Sequence, residues 1–235
     1  MKKHLKERVL IGSISITLIA STVFLTIAII IAPTVAIDSD PLVRVKGDYA
    51  LMLLQCIFGV FAMMLPGILK KRINLQIPSN MLIIYAIFLY CAIYLGEVRS
   101  FYYNVPHWDT ILHTFSGAML GALGFSFISF LNKTDSVPIN LSPLFVTVFT
   151  FCFAITLGVI WEIYEFTIDS ILKTNMQKFA LEDGELLIGS AALLDTMKDL
   201  IVDTIGAFSM SVIGYISLKY KKGWLEKLQL KLLKH

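Results

Sequence analysis

Charge is scarce in this chain. Asp, Glu, Lys and Arg make up 16% of its 235 residues, against 57% hydrophobic residues, and the mean hydropathy is +0.76. Such a balance leaves too few polar side chains to cover a soluble domain, so the composition is that of an integral membrane protein. Cysteine is as sparse. Cys56, Cys91 and Cys152 are odd in number, sit in three different apolar stretches and lack metal-ligand spacing, which argues against a disulfide framework and against a thiolate zinc cluster. There is no internal repeat, no low-complexity segment and no HExxH-type metal motif. The formal net charge of +3 is no nucleic-acid signal, because the basic residues gather at the ends of apolar runs, where they suit anionic lipid head groups.

What is present is a series of uncharged runs of the length that crosses a hydrocarbon core, roughly 20 residues for about 30 Å. Six are expected, at about 9–32, 49–69, 81–96, 108–131, 144–168 and 194–218. The fold class is therefore all-α: one polytopic membrane domain over 1–235, with no room for a separate soluble domain. The second run is expected to end near Pro66, since proline loosens a helix. The apolar run after MKKHLKER carries no charge from Val9 until Asp38, longer than the ~7–15 residues of a signal's apolar core. A retained first span is the expectation, and cleavage near Thr34 and Ala36 is the alternative. The tail over 219–235, with Trp224, Leu225, Leu228, Leu232 and Leu233 set between lysines, reads as a cytoplasmic amphipathic helix lying at the interface.

Orientation follows from the basic residues of the connections. Fourteen Lys and Arg fall on one side, from Lys2 through Lys70, Lys133 and Lys219 to Lys234. The other side has Arg44, Lys46, Arg99, Lys173 and Lys178, with Lys198 at the mouth of the sixth span. Both termini are thus expected in the cytoplasm of an inner or plasma membrane. The long connection from Asp169 to Leu194, with its acidic turn at Glu182, Asp183, Gly184 and Glu185, falls on the outer surface.

That topology, built on Lys and Arg alone, places every membrane-embedded acid in the outer half. Asp109, His113, Gly117 and Gly121 share one side of the fourth span. Ala154, Gly158, Glu162, Glu165 and Asp169 line a stripe on the fifth, and Asp195, Asp199 and Asp203 share a face of the sixth at four-residue spacing. Small residues let membrane helices approach closely, so packing through Gly and Ala gathers the acidic ends around one polar site. Burying ionisable groups is costly in a membrane, which gives them a functional presumption.

Blander readings exist for each residue. His113 could be a core histidine bonded to a carbonyl. His107 and Asp109 could be interfacial beside Trp108, Asp169 and Asp195 could lie in water at helix ends, and Asp199 could sit on a solvated face. Against these stands the charge: seven carboxylates face at most His113, Lys198 and Arg99, and so many anions need a cation or bound protons at low dielectric. A divalent ion suits carboxylates plus an imidazole, with Mn, Mg, Fe or Zn as candidates. It would also let an acidic site accept a phosphate by polarising its oxygen. In that scheme His113, Glu162, Asp199 and Asp203 are metal ligands, Glu165 or Asp109 is the catalytic general base or the carboxylate that supports His113, and Trp161, Asp169 and Asp195 line the site. The protein is then a metal-dependent hydrolase or binder of a lipid-linked or phosphorylated envelope compound. A proton- or cation-coupled carrier using the same carboxylates and a non-catalytic, partner-binding envelope protein are the alternatives.

The order D-x-x-x-H (Asp109, His113), W-E-x-x-E (Trp161, Glu162, Glu165) and D-T-x-x-D (Asp195, Thr196, Asp199), followed by Gly206 and Ala207, resembles the YjdF-like family of uncharacterised bacterial inner-membrane proteins. More distantly it is similar to VanZ-like proteins, which are associated with the cell envelope and glycopeptide resistance. The likeness spans Phe101 to about Met210. It implies a six-span fold and one site that pools Asp109, His113, Glu162, Glu165, Asp195 and Asp199. Leu194 departs from the aromatic residue expected before the D-T pair, and Asp203 is an acid beyond the pattern.

Overall fold

A computed structural model describes residues 2–34, 44–132, 141–181 and 185–232. Ala36, Asp38, Lys133, Glu182, Asp183, Gly184, Leu233 and Lys234 lie outside them. Helices α1 (Lys2–Ile31), α2 (Lys46–Ile73) and α3 (Ser79–Leu89) come first, and α3 runs on into a π-helix at Tyr90–Val98. A short α4 (Phe101–Asn104) is followed by the long α5 (Trp108–Asn132), α6 (Pro143–Leu172) and α7 (Ser190–Lys219). Six helices among the described residues are long and apolar enough to span a bilayer: Glu7–Ile31, Lys46–Ile73, Ser79–Val98, Trp108–Leu131, Pro143–Leu172 and Ser190–Lys219. They coincide with the six uncharged runs. Many of their large apolar side chains point outward, among them Ile16, Phe24, Phe61, Ile163 and Phe208, as suits helices whose solvent is lipid.

The chain separates into two compact units that cut across the helices: Met1–Met64, Tyr85–Asp109 and Glu162–Met197 in the first, and Leu65–Ile84, Thr110–Trp161 and Lys198–His235 in the second. The first has an apolar core of Ile14, Leu18, Leu25, Met52, Cys56, Ala86, Leu89 and Ile93. At Gly59 a side chain would collide with Ile93 at 2.5 Å, so α2 meets the α3 segment at a bare backbone. The second unit packs Phe125, Ile128 and Val146 with Leu225.

Two expectations change. Helix α2 does not stop near Pro66 but runs on to Ile73. Proline removes one backbone donor and leaves the carbonyl four residues earlier without its helical partner. That carbonyl belongs to Ala62, and the Tyr85 hydroxyl donates to it at 2.9 Å, so a side chain replaces the missing backbone bond and the helix continues.

Among the described residues the tail is no amphipathic helix. After α7, Lys221 and Gly223 adopt positive φ of 50° and 69°, which turns the chain back. A 3-10 turn at Glu226–Leu228 follows, then a short strand, β2 (Lys231–Leu232), that pairs antiparallel with β1 (Leu75–Gln76). Leu225 and Leu230 are buried, and the Leu230 amide donates to Ser126 Oγ at 2.6 Å. Leu225 and Leu228 pack against the second unit's core.

Replacing Tyr85 by Phe strands the Ala62 carbonyl at the proline step. The variant is expected to lose about 1–3 kcal/mol, read as a lower thermal midpoint in detergent, while Pro66→Ala restores the backbone bond and suppresses the defect in the double variant.

Candidate metal centre on α5 and α7

The site begins with two glycines. A Cβ at Gly117 of α5 would run into the Asp203 carbonyl of α7, and one at Gly206 of α7 would run into the Thr114 carbonyl and come within 3.0 Å of the Ala118 amide nitrogen. Each helix thus presents a bare backbone where the other needs room, and they meet backbone to backbone, as small-residue membrane contacts do. Helix α6 adds a third small position: at Gly158 a Cβ would lie 2.9 Å from Asp203 Oδ2. The Asp203 carboxylate occupies a slot that side chains at these positions would close.

Within that slot the polar groups are specific. His113 Nδ1 lies 3.3 Å from Asp203 Oδ2, and the Ser116 hydroxyl lies 2.7 Å from Asp203 Oδ1 and 2.8 Å from the His113 carbonyl. On the other side of the ring, His113 Nε2 is 3.9 Å from Asp199 Oδ2. Asp199 is 2% exposed and Asp203 5%. Four-residue spacing puts Asp199 and Asp203 on one face of α7, one on each side of the imidazole. Asp109 precedes His113 by one turn on the same continuous helix, about 6 Å along the axis. One ligand atom each from Asp109, His113 and Asp199 lie within 4.8 Å of one another, a group that could hold a metal ion.

A second charged cluster lies in the first unit, around Lys178. Its ammonium is 3.9 Å from the buried Glu97 carboxylate, sits over the rings of Tyr102 and Tyr103 at 5.1 and 4.9 Å, and donates to the Asn175 carbonyl at 3.4 Å. Burial by itself would push this ammonium down, but Glu97 first, then Tyr103, Asp109 and Glu165, outweigh burial and hold it above the ordinary lysine range. Glu97 belongs to the π-helix, the kind of local widening that recurs at functional sites.

Asp169 has a different job. Its Oδ1 accepts from the Thr174 hydroxyl at 2.6 Å and the Met176 amide at 2.8 Å, and its Oδ2 accepts from the Gln177 amide at 2.9 Å. It therefore fastens the chain that leaves α6, and Gln177 ties the same segment to Thr196 at 2.8 Å.

The family model for a predicted membrane protein family, DUF2238, matches residues 14–220. The chain belongs to that family. It is also 31% identical over 157 residues to a protein of Thermotoga maritima described as uncharacterised, covering 64% of this chain and 69% of the relative. No solved structure matches. The DUF2238 chain is thus a multi-pass membrane protein.

Its sequence-derived candidates divide between the two clusters. His113, Asp199 and Asp203 meet directly, and Asp109 joins His113 and Asp199. Glu165 acts on Lys178 rather than appearing in the ligand group, and Glu162, buried on α6 at 5% exposure, is not in that group either. His113 lies against the Asp203 carboxylate, and Asp199 is buried rather than on a solvated face. His107 is exposed just before α5, while Trp161 and Asp195 are half-buried. Asp169 is buried rather than in water and is not in the ligand group. The cation beside the acids is Lys178, whereas Arg99 is exposed. Glu97 and Tyr102 were not singled out from the sequence; the available signal was an acid closing an otherwise uncharged run, followed by a tyrosine pair.

Ser116→Ala removes the hydroxyl beside Asp203 Oδ1 and leaves a buried carboxylate short of a donor. A loss of about 1–3 kcal/mol in stability is expected, measured as a lower thermal midpoint, with Ser116→Thr retaining most of it. Wild-type stability in the Ala variant would show that the hydroxyl does not support Asp203.

Proposed function

We propose that Asp109, His113 and Asp199 bind one divalent cation, with Asp203 as the carboxylate that orients the imidazole. The observation that carries this reading is the two-sided setting of His113: Nδ1 meets Asp203, leaving Nε2 directed to the side of Asp199. Histidine ligands characteristically donate their second ring N–H to a carboxylate, which fixes the tautomer and raises ligand basicity. Asp109 and Asp203 therefore exchange the roles that spacing suggested, the first becoming a ligand and the second its neighbour's support. Oxygen ligands with one imidazole suit Mn, Mg, Fe or Zn.

The compound presented to this ion is assigned by depth. With both termini in the cytoplasm, as the basic residues of the connections favour, α5 starts on the outer side of the inner membrane and the group sits at head-group level in the outer leaflet. A lipid-linked or phosphorylated envelope compound fits that position, and a divalent ion there supplies Lewis-acid polarisation of a phosphoryl oxygen. The likeness of the Asp109–His113, Trp161–Glu165 and Asp195–Asp199 motifs to YjdF-like and, more distantly, VanZ-like proteins supports a role in the envelope.

Metal content of detergent-purified protein tests the centre. Wild type is expected to hold about one equivalent, His113→Ala and Asp199→Asn to lose it, and Asp203→Asn to bind ~10–100-fold more weakly, the usual effect of removing an orienting carboxylate. Glu162→Gln is expected to keep its metal. Wild-type protein that stays metal-free after reconstitution with Mn²⁺, Fe²⁺, Zn²⁺ and Mg²⁺ would sink the proposal.

A further inference from the structure

We infer that the basic end of the second unit is a binding site for an anionic phospholipid, built by the return of the chain after α7 onto the end of α2. The inference is independent of the metal reading.

Two basic clusters far apart in the chain are fastened together here. Helix α2 ends on Lys70, Lys71 and Arg72, and Asn74, at φ 53°, turns the chain into β1. Helix α7 ends on Lys219, and Lys221 and Lys222 follow in its terminal turn. All six side chains are exposed. Ser217 fixes the turn, because its carbonyl accepts from the Lys222 amide at 3.0 Å and its hydroxyl oxygen accepts from the Trp224 amide at 3.2 Å. Leu225 then packs into the Phe125 core, the Leu230 amide donates to Ser126 Oγ, and β2 pairs with β1, Lys231 opposite Gln76. Every one of these contacts lies within the second unit. Arg72 stands three residues before β1 and Lys227 four before β2, so no more than about 14 Å of extended chain separates either from the ladder.

The charge at this end is one-sided. Over 65–76 and 217–232 there are eight Lys and Arg against a single acid, Glu226. Like charges held on a fixed backbone repel, and a bound anion relieves the repulsion. The surroundings identify that anion as a lipid phosphate rather than a soluble one. Next to the basic residues both helices expose apolar side chains, Leu65 and Ile68 on α2 and Val212 and Ile213 on α7, along which acyl chains can lie. Tyr220 and Trp224 are 59% and 54% exposed among the lysines, and such amphipathic rings belong at head-group level. Lys219 lies over the rings of Tyr215 and Tyr220 at 5.2 and 5.7 Å, which directs its ammonium to the same level.

Gly223 separates a built site from diffuse charge. Its φ of 69° is one that a residue with a Cβ rarely adopts, and a Cβ there would come within 3.0 Å of Glu226 Oε1. A side chain at this position therefore disturbs the turn while leaving every lysine in the chain. An amphipathic tail would attract anionic head groups through charge alone, whereas the turn and the ladder present the two basic clusters in one geometry.

The experiment is native mass spectrometry of the full-length, detergent-purified protein with equimolar phosphatidylglycerol and phosphatidylcholine. Wild type is expected to retain the anionic lipid ~10-fold or more over the zwitterionic one. Replacing Lys70, Lys71 and Arg72 together by Gln, or Lys219, Lys221 and Lys222 together by Gln, is expected to remove most of that preference, and Gly223→Val to weaken it with all charges kept. Equal retention of the two lipids by wild type overturns the inference. Undiminished preference in a folded Gly223→Val protein overturns the built site in favour of diffuse charge, and displacement of the lipid by equimolar glycerol phosphate overturns its assignment to a lipid. Should Gly223→Val fail to fold, hydrogen exchange at the Trp224 and Leu230 amides of wild type decides: slower exchange with phosphatidylglycerol than with phosphatidylcholine supports the site, and equal exchange refutes it.

Discussion

The backbone contact between α5 and α7 is the constraint on which the site depends. Gly117 and Gly206 are placed so that each faces the other helix's main chain, at a carbonyl in both cases. No side chain larger than hydrogen fits at either position without separating the helices. Only at that separation can His113 on one helix stand between Asp199 and Asp203 on the other. The same approach explains how a carboxylate as deeply buried as Asp203 is tolerated. It is met by an imidazole and a hydroxyl, and Gly158 leaves the space for it. Packing without a hydrophobic driving force, which membrane helices must achieve through close contact and polar bonds, here also assembles the polar group.

Charge is arranged as carefully as volume. Asp199 and Asp203 stand on the two sides of an imidazole, and Glu97 stands against Lys178. An isolated carboxylate or ammonium in such surroundings carries a penalty of several kcal/mol unless it is paired, so each cluster keeps an opposite charge or a titratable partner at hand. Asp169 shows the opposite use of an acid: three donors from the following loop consume its oxygens, and its contribution is to place Lys178.

Much of the fold was legible because a bilayer imposes a length on uncharged runs, and six such runs became six helices. The ends were less legible. Pro66 reads as a terminus in isolation, since nothing local supplies a donor for Ala62, and Tyr85 lies a loop and a helix turn away. The tail carries the leucine and lysine pattern of an interfacial helix, yet Leu225 and Leu228 pack against the Phe125 core. Among the site residues, the spacing of Asp109 with His113 and of Asp199 with Asp203 was visible because helical periodicity alone puts each pair on one face. Their roles were not, because which carboxylate meets which ring nitrogen depends on the rotation of two helices about each other.

The sequence by itself determined the class, the spans and the faces, since hydropathy, helix period and the cost of buried charge act locally and need no partner. The tertiary structure decided which acids share a cation and which serve the loop. It also found the charge that balances the first cluster: Glu97 and Lys178 are separated by three helices in the chain, and no periodicity relates a residue at the end of a π-helix to one in a connection after α6. That pairing exists only because electrostatic attraction, the tyrosine rings and the Asp169 cap act across space.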